Sequence, residues 1–365
     1  MATNTKGKHS NKKATKKKRK RMILVLAMEV FLLVILAGGL WVVNKLGKIQ
    51  RNDLENVQMN EEIAEESKEI MKGYTTIALF GIDRRMTTGN KSLGAGNNSD
   101  TIIIANINNE TGEVRMVSVY RDTYLNLAND KYNKCNSAYA IGGPDQAVQM
   151  LNMNLDLNIQ YYVSVDWLGL INTIDLLGGL EVDVNEVEWE FVNNYILETA
   201  YESGVETSLL EGPGLQTLDG VQATAFCRIR QTAGDDYKRT ERQREVLTLL
   251  VAKAKAAGLP TMVNIVDEVF PRIMSNFTSA DLITRAADAM SYEIGETAGF
   301  PFEKTSKHLG KGYGDCVIPI DLEENVKELH RFLFEEDDYY PSPTIIKISD
   351  KIKADTGIYS AEDVG

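Results

Sequence analysis

Cysteine and histidine are scarce in this chain of 365 residues. The three cysteines, Cys135, Cys227 and Cys316, are an odd and widely spaced set without a CxxC motif, so they do not predict a disulfide framework. The three histidines show no ligand spacing, which argues against a zinc site. No Ser–His–Asp set is recognisable either.

Positively charged residues are outnumbered by acidic ones over most of the chain. The formal net charge is −12, yet residues 1–21 hold ten of the 40 Lys and Arg and no Asp or Glu. The remainder therefore carries 30 basic residues against 52 acidic ones. Because nucleic-acid binding depends on neutralising phosphates, this acidic body argues against nucleic acid as a partner.

Long apolar runs are also absent, apart from residues 22–43 (MILVLAMEVFLLVILAGGLWVV). As a helix, such a run measures about 33 Å, enough to cross a bilayer core of about 30 Å. The preceding basic tail (1–21) predicts a cytoplasmic N-terminus and an extracellular domain. A cleaved signal peptide is the alternative, but the run is long for one and no clear cleavage site follows. We expect a retained single-pass anchor.

The pattern after the anchor predicts an α/β fold, with a central mixed β-sheet flanked by helices. We expect a polar spacer over 44–73, one domain over 74–340 and a loose tail over 341–365. Predicted strands cover 75–80, 101–107, 114–120, 159–165, 180–184 and 221–226. Predicted helices cover 146–155, 166–177, 237–257, 262–275, 279–291 and 323–334. Residues 186–211 are interpreted as an acidic, aromatic excursion over one rim of a pocket.

Five arginines fall within residues 228–244 of this acidic domain: Arg228, Arg230, Arg239, Arg242 and Arg244. Arg228 and Arg230 would share one face of an extended strand, and Arg239 and Gln243 one face of a helix. Converging guanidinium groups predict a phosphate or pyrophosphate pocket, because their planar forks match phosphate oxygens. A surface of Arg–Glu pairs, with Glu241 and Glu245 as partners, is the alternative.

Two aspartates, Asp83 and Asp100, are predicted at strand ends on either side of a loop. Ligands of α/β proteins gather outside the carboxyl ends of strands. A pair of carboxylates suits Mg²⁺, which normally acts together with substrate phosphates. Ordinary turn and strand-entry roles are the alternative.

Seven motifs, taken in order, resemble the LytR-CpsA-Psr family of membrane-anchored cell-envelope phosphotransferases. The motifs are LFGIDRR (79–85), SDTI (99–102), SVYRDTY (118–124), KCNSAYAIGG (134–143), IDLLGGLEV (174–182), LDGVQATAFCRIR (218–230) and DYKRTERQ (236–243). This chain departs from the family at Tyr120, where Pro is usual, and at Phe226-Cys227, where an aromatic–aliphatic pair is usual. Neither departure removes a charged group.

The resemblance implies transfer of a glycopolymer, such as teichoic acid or capsule, from a polyprenyl-pyrophosphate lipid to peptidoglycan. It implies that Asp83 and Asp100 hold Mg²⁺ and act in catalysis together with three arginines. The residues it places around the pyrophosphate are Arg121, Lys134, Arg228, Arg230, Asp236, Arg239 and Gln243, of which Arg121, Arg228 and Arg239 are the catalytic arginines.

Arg242 and Arg244 are expected instead to be helix-surface residues paired with glutamates, and Cys135 and Cys227 to be packing residues. A lipid tail needs an apolar slot, for which the candidates are Leu151, Val163, Val165, Trp167 and Leu168, with a plain hydrophobic core as the alternative. Two rival functions stay open: a non-catalytic sensor of the same lipid, and a pyrophosphatase that uses water as acceptor.

Overall fold

The computed structural model describes residues 44–83, 93–231 and 235–363, without the side chains of residues 235, 236, 259, 286 and 287. The chain divides into two compact units, Met1–Lys48 and Ile49–Gly365. Of the first unit, residues 44–48 are described, and they begin with one helical turn. The predicted span at 22–43 lies outside the described residues. Within the described part, we find no helix with the length and apolar character needed to cross a bilayer.

The second unit contains a mixed β-sheet, as the sequence predicts. The strands are β1 (Gln50–Arg51), β2 (Tyr74–Ile82), β3 (Ser99–Asn108), β4 (Glu113–Val119), β5 (Tyr124–Asn126), β6 (Tyr132–Lys134), β7 (Tyr161–Asp166), β8 (Leu180–Val184), β9 (Gly214–Leu218), β10 (Ile273–Ser275), β11 (Glu293–Phe300), β12 (Lys304–His308) and β13 (Asp315–Pro319). Seven of them form the main sheet in the order β1-β10-β7-β2-β3-β4-β11, and the others form two-stranded sheets.

Helices flank this sheet. They are α1 (Glu65–Lys72), α2 (Ser137–Leu155), α3 (Trp167–Leu176), α4 (Glu186–Ser203), α5 (Gly220–Phe226), α6 (Asp235–Ala256), α7 (Leu259–Glu268), α8 (Ser279–Asp288), α9 (Leu322–Phe334) and α10 (Pro343–Thr356). The main core includes Phe80, Tyr139 and Leu151. A second core, with Val182, Ile196 and Phe226, packs the two-stranded β8–β9 sheet against α4 and α5.

Strand direction brings four chain segments to one edge of the main sheet. β2 and β7 run parallel, with Ile82 beside Asp166, so both end at this edge. β3 runs antiparallel to β2 and therefore begins there, with Ser99 beside Ile82. β4 is antiparallel to β3 and ends there again. The residues that follow or open these strands therefore lie next to one another.

One predicted element is wrong in type and another in its extent, and both have a visible cause. Residues 221–226 form helix α5 instead of a strand, because Asp219 and Gln222 make a reciprocal capping box at its start. The helix predicted over 262–275 ends at Glu268. The chain turns at Pro271, which cannot donate a backbone hydrogen bond, and β10 then pairs with β7.

Two regions predicted without regular structure are helical. Most of the excursion predicted over 186–211 is helix α4, which starts at a capping box between Asn185 and Glu188. The tail over 341–365 is not loose, because helix α10 buries Ile345, Ile348 and Ile352. Asp156 fixes the start of this helix by accepting hydrogen bonds from Ser342 N and Oγ, both at 2.8 Å.

Candidate functional site

A cavity of about 630 Å³ opens where β2, β4 and β7 end. One part of its wall consists of residues at the sheet edge, and the other of residues on α3, α4, α5, α6 and the segment after α5. Seven polar residues that the sequence predicts for the site line it: Asp83, Asp100, Arg121, Arg228, Arg230, Arg239 and Gln243. The fold therefore brings together residues that are up to 160 positions apart in the chain.

Asp100 and Arg121 are in direct contact at the sheet edge. Arg121 Nη1 lies 2.5 Å from Asp100 Oδ1, and Arg121 Nε lies 3.7 Å from Asp122 Oδ2. Asp83 follows the last residue of β2 and lines the same cavity. The edge thus presents two cavity-lining carboxylates and one guanidinium within a few residues of their strand ends.

Arg228 is held by four side chains from two helices. Its Nη1 donates to Thr199 Oγ1 at 2.6 Å, and its Nη2 lies 3.1 Å from Glu198 Oε1 and 3.2 Å from Glu202 Oε2. The guanidinium carbon lies 4.0 Å from the centroid of the Trp167 ring. Stacking and pairing of this kind fix the plane of the guanidinium group.

Arg230, Arg239 and Gln243 complete the polar wall. Arg230 is not on a strand, but its backbone N–H donates to Tyr195 Oη at 3.2 Å, which directs this segment toward the cavity. Arg239 is 3% exposed, and it and Gln243 share one face of α6, as the four-residue spacing predicts. The amide of Gln243 makes a long contact, 3.5 Å, with the carbonyl of Cys227.

Arg242 and Arg244 are buried, at 3% and 8% exposure, so the prediction of helix-surface residues is wrong. Arg242 donates to Glu188 Oε1 at 2.8 Å and to the Ile229 carbonyl at 2.9 Å. Arg244 donates to Thr297 Oγ1 at 3.3 Å. These two arginines join α6 to other elements and do not line the cavity.

Of four further residues that the sequence predicts for the site, three lie outside the cavity lining and the side chain of the fourth is not described. Lys134 pairs with Asp122 at 3.3 Å and stays outside the cavity lining. Leu151 is fully buried in the main core, and Leu168 is half-buried away from the cavity. Asp236 belongs to helix α6, but its side chain lies outside the described residues.

An apolar wall lies beside the charged groups. Val163, Val165 and Trp167, which the sequence proposes for a lipid slot, line the cavity. The sequence reasoning missed Val246 and Leu247, which come from the later turns of α6. The cavity therefore combines charged and apolar surfaces.

The predicted excursion over 186–211 contributes to the pocket wall, as expected, but the sequence reasoning missed that it is helical and missed Glu198 and Thr224 as lining residues. Tyr195 and Glu198 line the cavity from α4, and Thr224 lines it from α5. The two capping boxes could have revealed both helices, because an Asn or Asp followed three residues later by Glu or Gln marks a helix start. With α4 recognised as a helix, residues 195, 198 and 202 fall on one face at i, i+3 and i+7 spacing.

The surroundings of two titratable side chains in the cavity shift their pKa values. Burial raises the pKa of the Cys227 thiol to about 12, so this cysteine is not a nucleophile at neutral pH. Burial, followed by the nearby Glu198 carboxylate, raises the pKa of Tyr195. Both side chains are therefore neutral at physiological pH.

The model of the LytR_cpsA_psr family matches residues 45–306, more than half of the chain. The chain belongs to the LytR-CpsA-Psr family. It is 27% identical over 332 residues to the polyisoprenyl-teichoic acid–peptidoglycan teichoic acid transferase TagT of Bacillus subtilis, covering 89% of this chain and 98% of that protein. It is 30% identical over 258 residues to the transferase TagU of Oceanobacillus iheyensis, covering 67% and 73%.

Solved structures of similar fold include other LytR-CpsA-Psr proteins. TagT with bound octaprenyl pyrophosphate lipid superposes with a TM-score of 0.53 at 22% identity, covering 77% of this chain and 99% of that one. Protein gbs0355 from Streptococcus agalactiae gives a TM-score of 0.62 at 24% identity, covering 77% and 94%. At these identities the likeness establishes the shared fold.

Proposed function

We propose that this protein transfers a glycopolymer, as its glycosyl phosphate, from a polyprenyl-pyrophosphate lipid to peptidoglycan and releases polyprenyl phosphate. The observation that carries this proposal is the convergence of Arg121, Arg228, Arg230 and Arg239 in one cavity with an apolar wall. A lipid pyrophosphate combines the same two chemistries. The names of the relatives TagT and TagU support a teichoic acid as the polymer.

The arginines would act by positioning and charge. A pyrophosphate carries negative charge that repels an incoming nucleophile, and guanidinium groups neutralise it as the transition state forms. Arg228 is pre-oriented by Trp167, Thr199 and Glu202, so it loses little freedom when it binds an oxygen anion. The same groups would hold the charge of the departing polyprenyl phosphate.

A magnesium ion fits the two aspartates. Asp83 and Asp100 offer hard oxygen ligands in one cavity, and Mg²⁺ normally takes one or two carboxylates together with substrate phosphates. No third His, Cys, Asp or Glu joins them in a metal-binding group within the described ranges 44–83, 93–231 and 235–363. When bound, Mg²⁺ would supply Lewis-acid stabilisation of the phosphate charge. Arg121, which pairs with Asp100, would keep this carboxylate in place.

The apolar wall would receive the first isoprene units of the lipid. Val163, Val165, Val246 and Leu247 line the cavity next to the arginines. Burying each methylene-sized group of the lipid there contributes about 0.8 kcal/mol. Binding would therefore depend on the lipid as well as on the pyrophosphate.

We propose in addition that residues 22–43 anchor the protein in the cell membrane, with residues 1–21 in the cytoplasm and the catalytic domain outside. The apolar run and the ten basic residues before it support this orientation. Protease added to intact cells lacking a wall should remove the domain and leave the N-terminal tail. Protection of the domain would contradict this topology.

The test of the activity uses the full-length protein, polyprenyl-pyrophosphate-linked teichoic acid, Mg²⁺ and peptidoglycan. We expect wall-linked polymer and released polyprenyl phosphate, and loss of both for Arg228→Ala and for Asp83→Ala. Arg331→Ala is the matched control, because Arg331 is 54% exposed and pairs with Glu328 on the surface of α9. It should keep wild-type activity.

Three outcomes would replace the proposal. Full activity in both variants would show that the cavity is not the active site. Tight binding of the lipid without any transfer, with Mg²⁺ and acceptor present, would indicate a sensor. Release of phosphate products without attachment to the wall would indicate a pyrophosphatase.

A further inference from the structure

Glu198 is a cavity carboxylate that the roles above leave without a task. It lies on α4 and lines the cavity beside Tyr195. Its side chain is 50% exposed, compared with 27% for Asp100 and 2% for Asp166, which also line the cavity. A polymeric acceptor such as a glycan strand reaches the cavity from solvent, so a half-exposed carboxylate is accessible to its hydroxyl group.

Glu198 shares its partner with a second glutamate. Nη2 of Arg228 lies 3.1 Å from Glu198 Oε1 and 3.2 Å from Glu202 Oε2. Of the two, only Glu198 lines the cavity, whereas the Glu202 side chain is 10% exposed and is not among the lining residues. Two carboxylates of the same type therefore pair with the same nitrogen, and they differ in whether they face the ligand space.

Pyrophosphate binding would affect the two glutamates differently. A phosphate oxygen that binds Arg228 competes with Glu198 for the cavity side of the guanidinium group. Glu202, Thr199 and Trp167 would stay in contact with the arginine and keep it in place. Glu198 is then released from Arg228 next to the phosphate, where an acceptor hydroxyl has to arrive.

We infer that Glu198 is the general base for the acceptor hydroxyl, an assignment that rests on the proposed transferase function. The carboxylate takes the hydroxyl proton while the hydroxyl oxygen forms a bond to the sugar-linked phosphorus. The bond from that phosphorus to the bridging oxygen breaks, and its electron pair leaves with polyprenyl phosphate. Glu198 passes the proton to water through its exposed side.

The other carboxylates of the cavity are less suited to this step. Asp83 and Asp100 are the proposed metal ligands, and a carboxylate bound to a cation is a weak base. Asp100 also pairs with Arg121 at 2.5 Å. The charged group that contacts Glu198 from another element is the guanidinium group of Arg228, and Arg230 and Arg239 line the same cavity.

The test compares Glu198→Gln with Glu202→Gln in the full-length protein. Both substitutions remove one carboxylate from Arg228 and keep the side-chain shape. We expect Glu198→Gln to lower kcat by about 100-fold or more, the usual contribution of a general base. Its KM for the lipid donor, and its binding of octaprenyl pyrophosphate, should stay unchanged or improve. Glu202→Gln should lower kcat less than about 10-fold.

Chemical rescue gives a second readout that a purely structural role would not change. Glu198→Ala should regain activity when formate is added, because a small carboxylate can occupy the vacated space and accept the proton. Glu202→Ala should gain nothing from formate. Glu198→Asp, which keeps a carboxylate one methylene shorter, should have an intermediate kcat.

Equal effects of the two Gln variants, together with no rescue by formate, would overturn the inference and leave Glu198 as a positioning residue for Arg228. This result is distinguishable from failure of the proposed function. In that case the wild-type protein itself would show no transfer to peptidoglycan under the same conditions.

Discussion

Nη1 of Arg121 lies 2.5 Å from Oδ1 of Asp100, although the two residues are 21 positions apart. Asp100 lies at the start of β3 and Arg121 lies just after β4, so the antiparallel hairpin returns the chain to the edge from which it started. The pair connects a proposed metal ligand to a proposed phosphate-binding group. Changes at either residue should therefore affect the other.

Asp100→Asn should weaken the response to Mg²⁺. The substitution removes one negative charge from the proposed metal site and the nearer of the two carboxylates that pair with Arg121, leaving Asp122 at 3.7 Å. We expect the Mg²⁺ concentration for half-maximal transfer to rise about tenfold or more, with little change in melting temperature, because a partly exposed ion pair contributes about 1 kcal/mol or less. Transfer measured across a Mg²⁺ titration after chelation tests this. An unchanged titration would argue against Asp100 as a ligand.

Substitutions at Arg228 and Arg242 should have different effects, a loss of transfer activity for Arg228 and a loss of folding stability for Arg242. Arg242 is paired with Glu188, and both side chains are almost fully buried. Arg242→Met leaves an uncompensated buried carboxylate and should lower the free energy of unfolding by about 3–5 kcal/mol. Arg228→Met should instead abolish transfer, and denaturant unfolding of both variants measures the difference. A large stability loss for Arg228→Met alone would reverse these roles.

Helix α10 should contribute substantially to stability. Ile348 is 2% exposed and belongs to the main core. Ile348→Ala should lower the free energy of unfolding by about 2–5 kcal/mol, because it removes buried methylenes and leaves a cavity. Ile346, two positions earlier on the same helix and 42% exposed, provides the matched control. If both alanine variants unfold at the wild-type denaturant concentration, the helix does not belong to the core.

Glu336 should make the fold sensitive to acid. Burial acts to raise its pKa, but the contact with His330, whose Nδ1 lies 3.5 Å from Glu336 Oε2, and the hydrogen bond from Ser67 outweigh burial and hold the pKa below the usual 4.5. A group with a lowered folded-state pKa contributes stability that is present above its unfolded pKa and is lost as the pH falls through its folded pKa. We expect the melting temperature to fall as the pH decreases below about 4.5, and less steeply in Glu336→Gln.

Ser67→Ala provides a second measurement for this pair. The Ser67 hydroxyl donates to Glu336 Oε1 at 2.5 Å, so its removal should make the acid-dependent fall shallower without removing the carboxylate. Parallel curves of melting temperature against pH for the wild type and both variants would assign the acid sensitivity to other groups.

The strands of the site were predictable because each is a short apolar run between turn signals. The runs at 75–80, 101–107 and 159–165 correspond to β2, β3 and β7 within a few residues. Helices α4, α5 and α10 were missed. In α5, apolar residues predominate and hide the helical period, and only the Asp219–Gln222 capping box identifies it. In α10, the isoleucines at 345, 348 and 352 carry a helical spacing that the polar neighbours obscured.

The residue types of the site were also predictable, but their partners were not. Charge counting separates a few clustered arginines from an acidic background, so Arg228, Arg230 and Arg239 stand out in the sequence alone. Arg242 and Arg244 stand out equally, yet they are buried and pair elsewhere. Spacing along one helix does not say which of its faces meets the cavity and which meets a neighbouring element.

The sequence by itself determined the chemistry available to this protein: paired aspartates, clustered arginines, an apolar run before an acidic domain, and an order of motifs typical of one family. These features are local, since each depends on residue type and short-range spacing. Only the tertiary structure decided which groups meet. Strand direction carries Asp83, Asp100 and Arg121 to one edge, and the packing of α4 against the segment after α5 brings Glu198 and Glu202 to the same nitrogen of Arg228. Contacts between distant segments depend on how whole elements pack, which short-range patterns do not encode.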